Sequence, residues 1–166
     1  MRYVIRERWF SWGDDFDIYD AAGKRVFFVD GRGISIRNKL SFQDAKGQEL
    51  AFIEQARLGG GTEFNLSRGG HLVARVSKQS LAGSLCQFFV DVPGPNDITA
   101  RGDFYNHNYS FERQDRTLAT VSCPEANSSG YSIDIAEAED AVLLLAAVIV
   151  IDLVSHEESD EGELYK

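Results

Sequence analysis

The sequence predicts a mainly β (α+β) fold: a closed antiparallel β-barrel wrapped around one buried helix near the C-terminus. Three observations predict it. A hairpin-like motif recurs along the chain, a single apolar run lies between Ala141 and Ile151, and fifteen glycines stand against three prolines. Glycines and scattered aromatics in that proportion suit many short strands joined by tight turns. A chain of 166 residues fits one domain with a sizeable core. The expected boundaries are residues 1–155 for the barrel with its helix, near 138–154, and 156–166 for an acidic, disordered tail.

The hairpins come first. Tyr19-Asp20-Ala21-Ala22-Gly23-Lys24-Arg25-Val26 is echoed by Gln43-Asp44-Ala45-Lys46-Gly47-Gln48-Glu49-Leu50, with the turn glycines 24 residues apart. A third copy, Ser67-Arg68-Gly69-Gly70-His71-Leu72-Val73, follows 23 residues later. A fourth, Arg113-Gln114-Asp115-Arg116-Thr117-Leu118, lacks the glycine, and Gly94 stands near the middle of the gap before it. In each copy a polar turn is flanked by β-branched or aromatic residues, the pattern of a hairpin whose glycine supplies positive φ. Hairpins in series argue for an antiparallel meander closing into a barrel or sandwich. A solenoid or propeller has comparable periods, but these copies are imperfect and the C-terminal segment differs from them.

That segment, Ala141 to Ile151, is apolar on every face and bracketed by Asp140 and Asp152. A membrane-spanning helix needs about 20 apolar residues, so an eleven-residue run suits a helix buried on all sides. From 141 to 154 it would measure about 21 Å, roughly the height of a small barrel. Asp134-Ile135-Ala136-Glu137 has the spacing of a helix N-cap and its reciprocal Glu. Val148-Ile149-Val150-Ile151, β-branched throughout, keeps a buried strand as the alternative.

Charge and cysteines bound the function classes. Residues 1–80 carry 13 basic and 10 acidic residues, whereas 81–166 carry 4 and 16. A net charge of −9 argues against nucleic-acid binding, which rests on phosphate neutralisation. The run His156 to Glu163 reads as a solvated, frayed tail. Cys86 and Cys123, with no apolar leader in Met1–Arg8, read as reduced thiols of a cytoplasmic protein.

No residue set specifies a reaction. His71, His107 and His156 fall in different segments without metal-ligand spacing, and His107 reads as a hydrogen-bonding turn residue. Gly59-Gly60-Gly61 precedes a strand, not the helix that a phosphate loop requires. Asp14-Asp15-Phe16-Asp17 with Asp20 lacks the order of a calcium loop. The sequons at Asn65, Asn108 and Asn127 carry no weight in a protein that is not secreted. The expected catalytic, metal and cofactor residues are therefore none. Arg32, Arg37 and Lys39, with Lys24 and Arg25 nearby in sequence, form a basic cluster that could hold a phosphate headgroup. Edge protection or a solvated face explains the same residues.

The opening Tyr3-Val4-Ile5-Arg6-Glu7-Arg8-Trp9-Phe10-Ser11-Trp12-Gly13-Asp14 resembles the start of LURP-one-related proteins, of the tubby C-terminal-like superfamily that includes phospholipid scramblases. Leu40-Ser41-Phe42-Gln43-Asp44, Gly102-Asp103-Phe104-Tyr105-Asn106-His107-Asn108-Tyr109 and Ser132-Ile133-Asp134-Ile135 continue the resemblance over nearly the whole chain. It implies a barrel of about twelve strands with the C-terminal helix threaded through it. The family's second aromatic-Ser-Trp-Gly-Asp turn is replaced by Cys123-Pro124-Glu125-Ala126-Asn127-Ser128-Ser129-Gly130. Tubby domains bind phosphoinositides and scramblases act at membranes, yet neither a tubby lipid motif nor a scramblase calcium segment maps onto these residues. The resulting expectation is a non-enzymatic cytosolic binding or scaffold protein with a protein or lipid ligand, no nucleic acid and no transmembrane span. Peripheral recognition of a phosphoinositide or phospholipid, through weak membrane contact, is the alternative, and an uncharacterised enzyme the third.

Overall fold

The computed structural model describes residues 1–7, 15–31, 39–57, 62–123 and 130–164, with backbone alone for 157–164. Within them lie β1 (Arg2–Glu7), β2 (Phe16–Asp20), β3 (Arg25–Asp30), β4 (Lys39–Asp44), β5 (Glu49–Gln55) and β6 (Glu63–Arg68). They are followed by β7 (His71–Ser80), β8 (Cys86–Asp91), β9 (Ile98–Asp103), β10 (Asn108–Arg113), β11 (Arg116–Ser122), β12 (Gly130–Ile135) and α1 (Ala141–Leu164). Each strand pairs antiparallel with its neighbours in sequence, and β12 returns to β1, with Tyr3 opposite Ile133. The sheet is a closed barrel. Closure removes the sheet edges that would otherwise template pairing with other chains.

The strands form because apolar side chains alternate, and a period of two puts them all on one face. Leu40 and Phe42, Phe64 and Leu66, Phe88 and Val90, and Tyr109 and Phe111 point inward and are buried. The register then sets large against small. Phe42 faces Ala51, Leu66 faces Ala74, and Phe111 is flanked by Ala100 and Ala119. The alanines leave space along the barrel axis for α1, whose residues from Leu144 to Val154 are all buried. Each large aliphatic buried there is worth roughly 1.5–3 kcal/mol. Val148 to Ile151 are helical, which settles the strand alternative against the strand.

The sequence repeat is a repeat of turn chemistry. Asp20 accepts hydrogen bonds from the amides of Ala22 and Lys24, and Asp44 accepts them from Lys46 and Gln48, at 2.9–3.0 Å. Gly23 and Gly47 close those turns at φ 81° and 82°, where a side chain is strained. The two-residue turns Gly69-Gly70 and Gln114-Asp115 have positive φ at both positions. Asp tolerates that region better than most residues, so the fourth copy turns without a glycine. These turns, with the β8–β9 connection, share one end of the barrel, the turn end. The C-terminal ends of β1, β3, β5, β7, β9 and β11 lie at the other, the loop end.

The helix differs from expectation at both ends. Asp134 is not its cap: it lies in β12, where Arg2 donates to both its carboxylate oxygens at 2.9 Å. Strand pairing carries the chain on as far as Ala136, whose amide donates to Leu118 O. The cap is Asp140, which accepts from Leu143 N at 3.1 Å and from Arg68 at 2.7 Å. At the far end the helix does not stop at Val154 but continues to Leu164, taking in the acidic run read as frayed. Adding residues to an existing helix needs no new nucleus, and glutamate is a good helix former. No helix among the described residues is long and apolar enough to cross a membrane.

Candidate functional site

The chemistry gathers at the loop end. Between β9 and β10 the chain turns through Phe104 to His107. Asp103 holds the turn by accepting from the Asn106 amide at 3.1 Å and its side-chain Nδ2 at 2.7 Å, contacts that also lower the Asp103 pKa. Phe104 turns inward and packs against Phe88 and Tyr109, with ring centroids 4.8 and 4.9 Å apart. His107 adopts φ 52°, a left-handed conformation uncommon outside glycine. Its ring lies flat on Tyr131 of β12, centroids 3.9 Å apart and planes 8° from parallel.

The helix brings up the other half. Asp152 and His156 are one turn apart and face the same side. Asp152 Oδ1 lies 3.6 Å from His107 Nδ1 and 3.1 Å from His156 Nε2. Asp152 is only 5% exposed, yet no donor meets its Oδ1 in hydrogen-bonding geometry. The buried Tyr131 hydroxyl lies near enough to Asp152 to feel its charge but makes no hydrogen bond of good geometry. Burial, reinforced by the Asp152 charge, pushes the phenols of Tyr131 and Tyr109 well above the usual tyrosine pKa. Burial also lowers the His107 pKa, against the opposing pull of Asp152. A neutral imidazole, a carboxylate and a second imidazole thus converge, with their ligand atoms within 4.8 Å of one another. Those are the atoms a metal ion would need.

Beside this cluster is a surface recess of about 280 Å³, lined by Lys78, Leu85, Cys86, Phe104, Tyr105 and Ser155 among others. Leu85 and Tyr105 stand on its rim, 68% and 59% exposed, and the Tyr105 ring lies 5.7 Å from that of His156. A smaller recess of about 150 Å³, lined by Leu72, Arg75, Asp91 and Pro93, belongs to the outer wall near the turn end.

Of the expected headgroup residues, Arg32 and Arg37 lie outside the described residues, as do Asp14 and Gly59-Gly60-Gly61. Lys39 opens β4 at the loop end, with Nζ 3.6 Å from Glu54 Oε1 on the paired strand. Arg25 opens β3 at the turn end and reaches Asp17 at 3.2 Å, so the barrel's height separates it from Lys39. The remaining acids of the calcium reading have structural work. Asp15 accepts from Gly31 N at 2.9 Å, Asp17 faces Arg25, and Asp20 builds its own turn. Cys86 and Cys123 are half-buried and not bridged.

Two of the three histidines, separate in sequence, meet in the structure. His71 begins β7 at the turn end, but His107 and His156 come together, ring centroids 5.6 Å apart. One signal was legible: Asp152 and His156 have i,i+4 spacing on a helix. The third member was not, because His107 is 45 residues before Asp152 and is aimed by a turn.

Fold and site together define a class: a fully closed antiparallel barrel cored by its own C-terminal helix, with its polar chemistry at one end. The chain belongs to the LURP-one-related family, whose profile matches residues 1–152. It is similar to the uncharacterized protein YxjI of Bacillus subtilis (strain 168), 28% identical over 163 residues that make up 98% of each chain. Its fold is similar to that of an Arabidopsis thaliana protein solved by X-ray crystallography, with a TM-score of 0.70 over 92% of this chain and 91% of that one, at 14% identity.

Proposed function

We propose that the chain is a non-enzymatic cytoplasmic binding protein that engages a protein partner through the loop end of its barrel. The observation that carries this reading is the filled interior. With α1 buried along the axis, the described residues offer a ligand their outer surface. At the loop end that surface offers a recess of about 280 Å³ rimmed by exposed Leu85 and Tyr105. Sites that enclose a small molecule generally exceed about 300 Å³ and bury most of it, whereas an open recess of this size fits one or two side chains of a partner. Aromatic and aliphatic anchors beside such a recess are the usual centre of a protein interface. The headgroup reading has less support, since Lys39 stands opposite Glu54 and two basic residues near an anionic surface add only about 1 kcal/mol each.

The test is site-specific photocrosslinking in the host cell, with the photoreactive residue at Tyr105 in one chain and at Gln48, on the turn end, in another. The proposal predicts one discrete protein adduct from position 105, weakened by Leu85→Ser, and none from position 48. Adducts from position 48 alone would overturn it. So would tight sedimentation with phosphoinositide vesicles at physiological salt that is abolished by Lys39→Ala.

A further inference from the structure

We propose that His107, Asp152 and His156 form a binding site for a first-row divalent transition-metal ion, of which zinc is the natural probe. Three independent features of the structure point there. The first is the donor set. Two imidazoles and one carboxylate suit zinc and its neighbours, whereas calcium and magnesium seek oxygen.

The second is distance. Zinc takes such ligands at about 2.0–2.2 Å, so adjacent ligand atoms of a tetrahedral site stand about 3.3 Å apart. The two separations from Asp152 Oδ1, 3.1 Å to His156 Nε2 and 3.6 Å to His107 Nδ1, bracket that value. The two imidazole nitrogens lie within 4.8 Å of each other.

The third is what the cluster lacks on its own. A buried carboxylate oxygen and a buried phenol, Asp152 Oδ1 and Tyr131 Oη, meet there without a hydrogen bond of good geometry to either. A structural Asp–His network would satisfy these atoms, because buried polar groups left unpaired are costly and rare. A cation bound to Oδ1 removes that cost for the carboxylate. The surroundings also hold the ligands ready. His107 is clamped flat on Tyr131 in an uncommon backbone conformation. Three protein ligands leave at least one position of a tetrahedral ion open. The site depends on none of the residues used to argue for a protein partner, so either proposal can fail alone.

The test uses the full chain without a histidine tag, stripped with EDTA and dialysed, then titrated calorimetrically with Zn²⁺ alone. One equivalent should bind. Asp152→Asn and His156→Gln should each weaken it beyond the roughly 10- to 100-fold that follows loss of an outer-shell partner. His71→Gln should leave it unchanged. His156 sits at an exposed helical position, so His156→Gln should retain the wild-type circular dichroism, which separates a lost ligand from a lost fold. Co²⁺ should give a visible absorption band in the wild type that is missing in His156→Gln. Failure of the wild type to bind Zn²⁺ overturns the proposal. Binding that survives His156→Gln, or that is lost in His71→Gln or Cys86→Ser, does the same, as does a preference for Ca²⁺ or Mg²⁺.

Discussion

Replacing Asp152 with asparagine should stabilise the metal-free protein. The carboxylate lies in an otherwise apolar stretch between Ile151 and Leu153, 5% exposed, with Oδ1 unmet by any donor. At pH 8 His107, whose pKa burial lowers, brings no positive charge to that carboxylate. An unsatisfied buried group costs about 1–3 kcal/mol, and more when charged, while the amide of asparagine recovers only part of that. The expected net gain is about 1–2 kcal/mol, or roughly 3–6 °C in Tm for a domain of this size. Urea unfolding at pH 8 with EDTA, followed by tryptophan fluorescence, measures it as a rise in midpoint at constant slope. The opposite outcome has its own scale: breaking a well-made buried ion pair costs about 3–5 kcal/mol. A loss of even 1 kcal/mol in Asp152→Asn would show that the His–Asp contacts hold the loop end together, and the reasoning would be wrong.

Three further outcomes follow from the same structure. Leu145→Ala, at a fully buried helix position, should cost about 3–5 kcal/mol in urea unfolding, because a wall hydrogen-bonded all round cannot collapse into the cavity. Gly102→Ala should cost about 1–3 kcal/mol, since a Cβ there would stand 2.6 Å from Asn108 O and 2.7 Å from Tyr109 Cα at φ 138°. In the same assay a cost below about 0.5 kcal/mol would refute that close approach. Stability without metal should fall as pH drops below about 6.5, since the unfolded chain protonates His107 while burial keeps the folded ring neutral. The loss should level off once pH passes the lowered folded pKa, and His107→Gln should flatten that stretch of the pH–stability curve.

Much of the fold was legible because it is written in short-range chemistry. Asp20 with Gly23, and Asp44 with Gly47, announce the same turn in sequence and make it in space. The apolar run around Leu145 announces a helix that water cannot touch. The helix start was misread because Asp134 and Glu137 have a cap's spacing while Asp134 is claimed by Arg2, 132 residues away. Pairing between β1 and β12 is a long-range event that no local window contains. The candidate site was hidden for the same reason. Asp152 looked like the end of an apolar run, and only closure of the barrel brings His107 onto it. Arg25 and Lys39, close in sequence, are parted in the same way: β3 begins with Arg25 at one end and β4 begins with Lys39 at the other.

A ligand is confined to the outer surface because α1 occupies the barrel's interior, and native-state hydrogen exchange tests that occupancy most directly. The amides from Leu144 to Leu153 should exchange only through global unfolding, with an opening free energy equal to the unfolding free energy from urea. They should be among the slowest in the molecule, alongside the inward-facing residues of β4 to β7. If these helical amides instead exchange through a cheaper opening that leaves the strand amides protected, the helix is an appendage. The barrel would then have an interior free for a ligand.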